Sequence, residues 1–200
     1  MILAVFGGYL LMNKKPVPAA PIVEDGWYNS VAGVLADPKE GPRAIVITRA
    51  GWSNYEKNIY GSGRIGDELL KLPRARVEFA ADTPRWERWK IEGAPALVIV
   101  NKNGEVITRV AGMREITALR RAIQRSVEFP LTPEELAQRS DTAHHLRRIE
   151  VLIDRGEFDT AGAEADRYAA GTSVDDAHGQ YLRAWAHGEK GELAKARAGA

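Results

Sequence analysis

Residues 93–112, Gly93-Ala-Pro-Ala-Leu-Val-Ile-Val-Asn-Lys-Asn-Gly-Glu-Val-Ile-Thr-Arg-Val-Ala-Gly112, hold two β-branched, apolar runs, Leu97 to Asn101 and Glu105 to Val110. Lys102-Asn103-Gly104 lies between them, and because Asn and Gly accept positive φ this is a hairpin signal. The pattern predicts two antiparallel strands. Downstream, Ile116, Leu119, Ala122 and Ile123 recur at helical spacing, so Glu115 to Arg125 is predicted as a helix with one apolar face. Upstream, Thr83 to Lys90 is predicted as a short helix with Pro84 in its first turn, and Arg76 to Ala80 as a strand. Ala44 to Thr48, AIVIT, is the kind of run that forms a strand buried on both faces. The loop GWSNYEKN follows and opens a helix reaching about Leu72, with Gly61 and Gly63 marking an irregular middle. The first element of this unit is a short helix predicted at Tyr28 to Leu35, with a turn at Asp37 to Pro42.

The order β–α–β–α–β–β–α, together with residues 93–112, resembles a thioredoxin fold over roughly residues 26–127. In Gly93-Ala94-Pro95-Ala96 the proline stands where that family keeps a cis-proline, and the hairpin and Gly112 follow at family-like distances. Trp27 ahead of a helix, then Gly41-Pro42 before AIVIT, is similar to the bacterial thioredoxin-like group whose strand runs into W-C-x-x-C-K. On that motif Trp52 matches the tryptophan, Ser53 the attacking cysteine, Asn54 and Tyr55 the intervening pair, Glu56 the resolving cysteine, and Lys57 the lysine. The resemblance implies a mixed α/β sheet flanked by helices. It also implies a groove between the active-site helix and the proline loop that receives extended polypeptide, with Trp52, Tyr55, Ala94 and Pro95 as its contact surface.

The family's chemistry needs a thiolate at a helix N-terminus and a second thiol one turn away. The chain contains no cysteine at all. Disulfide exchange is therefore excluded by composition, as are cysteine-ligated zinc and iron–sulfur clusters. An unactivated serine hydroxyl is hardly ionised near neutral pH and needs an adjacent base, yet all four histidines lie beyond residue 143. Ser53 and Glu56 are instead expected to form a capping box, each side chain satisfying a backbone N–H of the first helical turn. No cofactor is implied. The expectation is a non-catalytic adaptor that binds a protein or an extended peptide. Its rivals are a hydrolase or acyl-transfer enzyme using Ser53 and Glu56, and a purely structural spacer. Exposure of Trp52 and Tyr55 beside Pro95 favours binding, and their burial favours the spacer. Trp86 and Trp89 share one helical face, which suits packing better than a stacking platform.

With 28 basic and 27 acidic residues among 200, no global field would gather nucleic acid, and none is expected as a partner. Residues 1–12 are uncharged and mostly apolar, too short to span a bilayer, and are followed by Lys14-Lys15 and the Pro-rich stretch PVPAAP. They are read as the end of a membrane anchor joined by a stiff linker, which would place the chain at a cell envelope; the alternative is an apolar segment packed on the domain. Residues 1–25 form this leader, 26–128 the thioredoxin-like domain, and 129–200 a segment of helices without strands. Within the last, Pro133 to Gln138 starts the first helix behind Thr132 as N-cap. Gly156-Glu157-Phe158-Asp159-Thr160-Ala161 is then echoed by Gly191-Glu192-Leu193-Ala194-Lys195-Ala196, thirty-five positions later. That spacing is close to the tetratricopeptide period, and the segment resembles the start of such an array. Leu146, Ile149, Leu152 and Ile153 would line one inner face, and Tyr181, Ala184 and Trp185 the next, with an unfinished repeat leaving that face exposed. The histidine pairs His144-His145 and His178 with His187 lack a recognised ligand spacing and are read as solvated, not metal-binding.

Overall fold

The computed structural model describes residues 22–23, 26–51, 53–61, 65–171 and 176–189. Six strands form one sheet: β1 (Ile22–Val23), β2 (Trp27–Tyr28), β3 (Arg43–Thr48), β4 (Arg74–Glu78), β5 (Ala96–Val100) and β6 (Val106–Ala111). They lie in the order β1-β2-β4-β3-β5-β6. β2, β4 and β3 run parallel, while β5 is antiparallel to β3 and β6 to β5. The fold is thus mixed α/β, and its topology is consistent with a thioredoxin-like domain.

The period-2 alternation of β3 explains how both faces are used. Ala44 and Val46 point into a core with Ile59 and Tyr60 of α2 (Asn54–Tyr60), Leu69 of α3 (Gly66–Leu70), and Leu119 and Ile123 of α5 (Ile116–Glu128). Ile45 and Ile47 point the other way, into a core with Val31 and Val34 of α1 (Val31–Leu35) and Trp86 of α4 (Thr83–Arg88). All six residues of β3 are buried, as the AIVIT run requires. The Trp86 and Trp89 rings meet tilted at 53°, centroids 5.6 Å apart, within that second core, and Trp86 Nε1 donates to the Phe79 carbonyl at 2.7 Å, so they are packing residues.

Two local readings are corrected. Tyr28 does not begin a helix: it pairs in β2 with Ala75, and the helix starts at Val31 behind Ser30, whose hydroxyl accepts from Gly33 N. A pairing forty-odd residues away overrides the local pattern there. The single helix expected to reach Leu72 is two, α2 ending at the C-cap Gly61 and α3 beginning at Gly66.

Four further helices follow: α6 (Pro133–Leu136), α7 (Thr142–Asp154), α8 (Phe158–Gly171) and α9 (Ala177–Glu189). Thr132 caps α6 in a capping box with Glu135. Leu146, Ile149, Leu152 and Ile153 of α7 pack against Ala161, Ala165 and Tyr168 of α8 and Leu182 and Ala186 of α9. Of the inner face expected for α9, Trp185 packs half-buried on this cluster, whereas Tyr181 is 52% exposed and Leu182 and Ala186 take the buried positions. The small residue Gly179 lets α9 lie directly on the Tyr168 ring. The echo at residues 191–196 and the apolar leader at 1–12 lie outside the described residues. No described helix is long and apolar enough to cross a membrane.

The helical segment is docked on the sheet domain. Buried Arg109 of β6 donates to the Trp89 carbonyl at 3.0 Å, to the Arg155 carbonyl at 2.9 Å and to Glu157 at 3.3 Å, tying β6 to the end of α4 and to the α7–α8 turn. Between α5 and α7, Arg147 donates to Glu150 at 3.2 Å and to Ser126 Oγ at 3.3 Å, all three side chains buried.

Candidate functional site

Ser53 is the N-cap of α2, with φ −65° and ψ 162°. Its hydroxyl accepts from Glu56 N at 3.2 Å, while Glu56 Oε2 accepts from Ser53 N at 2.6 Å. The pair expected from the sequence is thus a capping box. Glu56 is only 2% exposed, and its second oxygen has no hydrogen-bond partner among the described residues.

Opposite this turn the Ala94–Pro95 peptide bond is cis. Gly112 sits at φ +78°, a region glycine enters without strain, and its N–H donates to the Pro95 carbonyl at 2.9 Å. That bond holds the β6–α5 loop against the proline. Tyr55, half-buried on α2, donates its hydroxyl to the Arg114 carbonyl at 3.1 Å in the same loop, and burial pushes its pKa up. Residues 112–114 thereby bridge Tyr55 to Ala94 and Pro95. Between the two anchors Met113 is 71% exposed. Trp52, the fourth expected contact residue, lies outside the described residues.

Two guanidinium groups border this surface. Arg49 Nε donates to the Ala94 carbonyl at 3.3 Å, and Arg114 Nε donates to the Ala111 carbonyl at 3.3 Å. Neither Met113 nor these arginines was singled out from the sequence. An exposed methionine and two loop arginines carry no periodic signal, and only the long-range bonds Gly112–Pro95, Arg49–Ala94 and Tyr55–Arg114 show that they share a site.

The arrangement holds no activated nucleophile among the described residues. Ser53 Oγ serves the helix cap, and each histidine sits in the helical segment beside a carboxylate: His144 with Asp141 at 2.6 Å, His145 with Glu164 at 3.3 Å, His178 with Glu150 at 3.3 Å, and His187 with Asp166 at 3.1 Å. The His145–Glu164 pair is close enough for charge attraction but is not aligned as a hydrogen bond. No group of three or more His, Asp or Glu residues suited to a metal ion occurs among the described residues. A recess of about 180 Å³ between α5, α7 and α9 is lined by Arg125, Arg147, Glu128, Glu150 and His178. Its charges are already spent on one another, Arg125 on Glu128 at 2.7 Å and Arg147 on Glu150 at 3.2 Å.

No family model matches the chain, and no curated protein does. Among solved structures, one described as a DsbH oxidoreductase is similar over 58% of this chain and 94% of that one, at 16% identity and a TM-score of 0.39.

Proposed function

We propose that the protein is a non-catalytic adaptor that binds a protein or an extended peptide through the surface between α2 and the Pro95 loop. In this reading it is a thioredoxin-like domain whose thiol positions have become the helix cap Ser53/Glu56, followed by the beginning of a tetratricopeptide-like array and tethered through its N-terminal segment. One observation carries the reading: Met113 is 71% exposed, on a loop pinned to Pro95 at one end and to Tyr55 at the other. An exposed apolar side chain on a loop whose backbone is already anchored at both ends spares a partner the cost of ordering that backbone, which favours contact. An extended segment laid there can add main-chain hydrogen bonds to side-chain contacts.

Selection of binding peptides from a random library against the full chain tests this. Peptides recovered on the wild type should bind Met113→Asp at least about tenfold more weakly, the order expected for a contact worth 1–2 kcal/mol, with unchanged thermal stability. Undiminished binding to that variant and to Tyr55→Ala would overturn the assignment.

A further inference from the structure

Arg49 and Arg114 converge on one end of the β5–β6 ladder. Ala96 pairs with Ala111 across that ladder, so the Ala94 and Ala111 carbonyls that receive the two Nε groups stand close together. Both arginines are exposed. An Nε bond leaves the four terminal N–H donors of each guanidinium available. Neither is within ion-pair distance of a carboxylate among the described residues. Of the nearby acids, Glu56 is buried in the capping box, Glu78 accepts from Gly51 N at 3.1 Å, Glu115 accepts from Thr117 at 3.4 Å, and exposed Glu92 makes no ion pair with either arginine. In a chain where most arginines of the helical segment are matched to an acid, these two are matched only to backbone. They flank the apolar contacts Tyr55, Pro95 and Met113.

We propose that this surface takes an extended acidic peptide, with two carboxylate side chains on Arg49 and Arg114 and, midway between them on the same face of the strand, an apolar side chain on Met113. The proposal rests on the adaptor reading and adds the charge of the partner. Side chains on one face of an extended strand recur at every second residue, so a sequence with acid, apolar and acid at alternate positions presents all three groups together. On engagement Arg49 leaves the Ala94 carbonyl, which then becomes an acceptor for a peptide N–H. Carboxylate–guanidinium pairing replaces the single bond it gives up.

The test uses the full chain and fluorescein-labelled peptides of about nine residues with the repeat Glu-Ser-Leu-Ser, which places Glu and Leu in turn on one face, their counterparts with Gln for Glu, and a nine-nucleotide oligothymidylate. At about 0.05 M salt the Glu peptide should bind roughly tenfold more tightly than the Gln peptide, and the advantage should shrink near 0.5 M as screening shortens the field. Arg49→Gln with Arg114→Gln should remove that advantage and leave binding of the Gln peptide unchanged; Arg139→Gln, distant in the helical segment, should change neither. Equal affinity for the two peptides overturns the proposal. So does oligothymidylate binding as tightly as the Glu peptide with the same loss in the double variant, which would mark a general polyanion site. If both peptides bind equally and Met113→Asp weakens both, the acidic preference falls while the adaptor reading stands. If neither protects the amides of Ala94 and residues 112–114 from hydrogen exchange, both fall together.

Discussion

Ser53 and Glu56 close the start of α2 between them, each side chain satisfying a backbone N–H of the other residue. The side chain at position 53 faces the orphan N–H groups of the first turn and accepts a hydrogen bond from Glu56 N at 3.2 Å. Ser53→Ala should therefore cost about 1 kcal/mol, read as a lower midpoint in urea with an unchanged slope. A cost near zero would mean that the cap is replaced by water without loss. The same geometry would seat a thiol pair: Ser53→Cys with Glu56→Cys places two thiols one turn apart on a pre-formed helix end. That double variant should lose its free thiols under mild oxidation while remaining monomeric. Free thiol counts that stay at two in a folded protein would show that residues 53–56 are not an emptied thiol site. This much was legible in advance, because a cap is a local contract between residues three apart. What could not be read was the depth of Glu56, 2% exposed, since burial depends on α2 lying against the sheet.

Among the elements, α8 and α9 meet through a glycine. A Cβ at Gly179 would stand 2.5 Å from Cε1 and 3.0 Å from Cδ1 of Tyr168, a ring held by its hydroxyl bond to Asp176. Alanine would gain up to about 1 kcal/mol in helix propensity. Overpacking against a ring that cannot swing away costs typically 1–3 kcal/mol, so the clash should win. Gly179→Ala is expected to lower Tm, and a raised Tm would refute the close packing. The apolar period of α7 marks its inner face at Leu146, Ile149, Leu152 and Ile153, all of which are buried. In α9 the face is mixed: Leu182 and Trp185 meet the cluster together with Gly179 and Ala186, two residues that carry little hydropathy signal, while the conspicuous Tyr181 is 52% exposed. Where α5 meets α7, Asp154 is buried, and that burial pushes its pKa up from 3.8 to about 6, against the pull of Arg121 and Arg147. A raised carboxylate pKa means that the folded form holds the proton more tightly. Its contribution is complete below about pH 4 and is lost as pH rises through about 6, amounting to roughly 3 kcal/mol for two units. Carboxylates held low, such as Asp166 by Arg183 and His187, act in the opposite sense, so the difference from Asp154→Asn is the informative quantity. Wild type should gain stability relative to that variant as pH falls from 7 to 4, and parallel stability curves would contradict the shift.

The two halves of the protein are joined by Arg109, which is 6% exposed and is shared by a strand, the end of α4 and the α7–α8 turn. Arg109→Leu would strand two carbonyls and remove one of the cations around Glu157, though Arg155 at 3.2 Å and Lys90 at 3.8 Å remain. The loss should be about 2–3 kcal/mol, below that of a fully isolated buried charge. Limited proteolysis should then cut near residues 129–141 before the sheet domain unfolds, and cleavage no faster than in wild type would argue against a latch. Nothing in the sequence marks Arg109, which stands beside Thr108 in an otherwise apolar strand-like run and would ordinarily be assigned to solvent. The same holds for Tyr28, drawn into β2 by Ala75, and for Met113, brought beside Pro95 by a turn. By itself, the amino-acid sequence determined the absence of thiol chemistry, the helix cap at Ser53, the β5–β6 hairpin and the doubly buried β3, because composition and short-range periodicity need no partner to be read. Tertiary structure alone decided the strand order, the docking of the helical segment and the arrival of Arg49, Met113 and Arg114 beside Tyr55 and Pro95. Each of these depends on residues distant in the chain finding one another, and the free energy of that encounter resides in burial and hydrogen bonding across the fold, not in any local pattern.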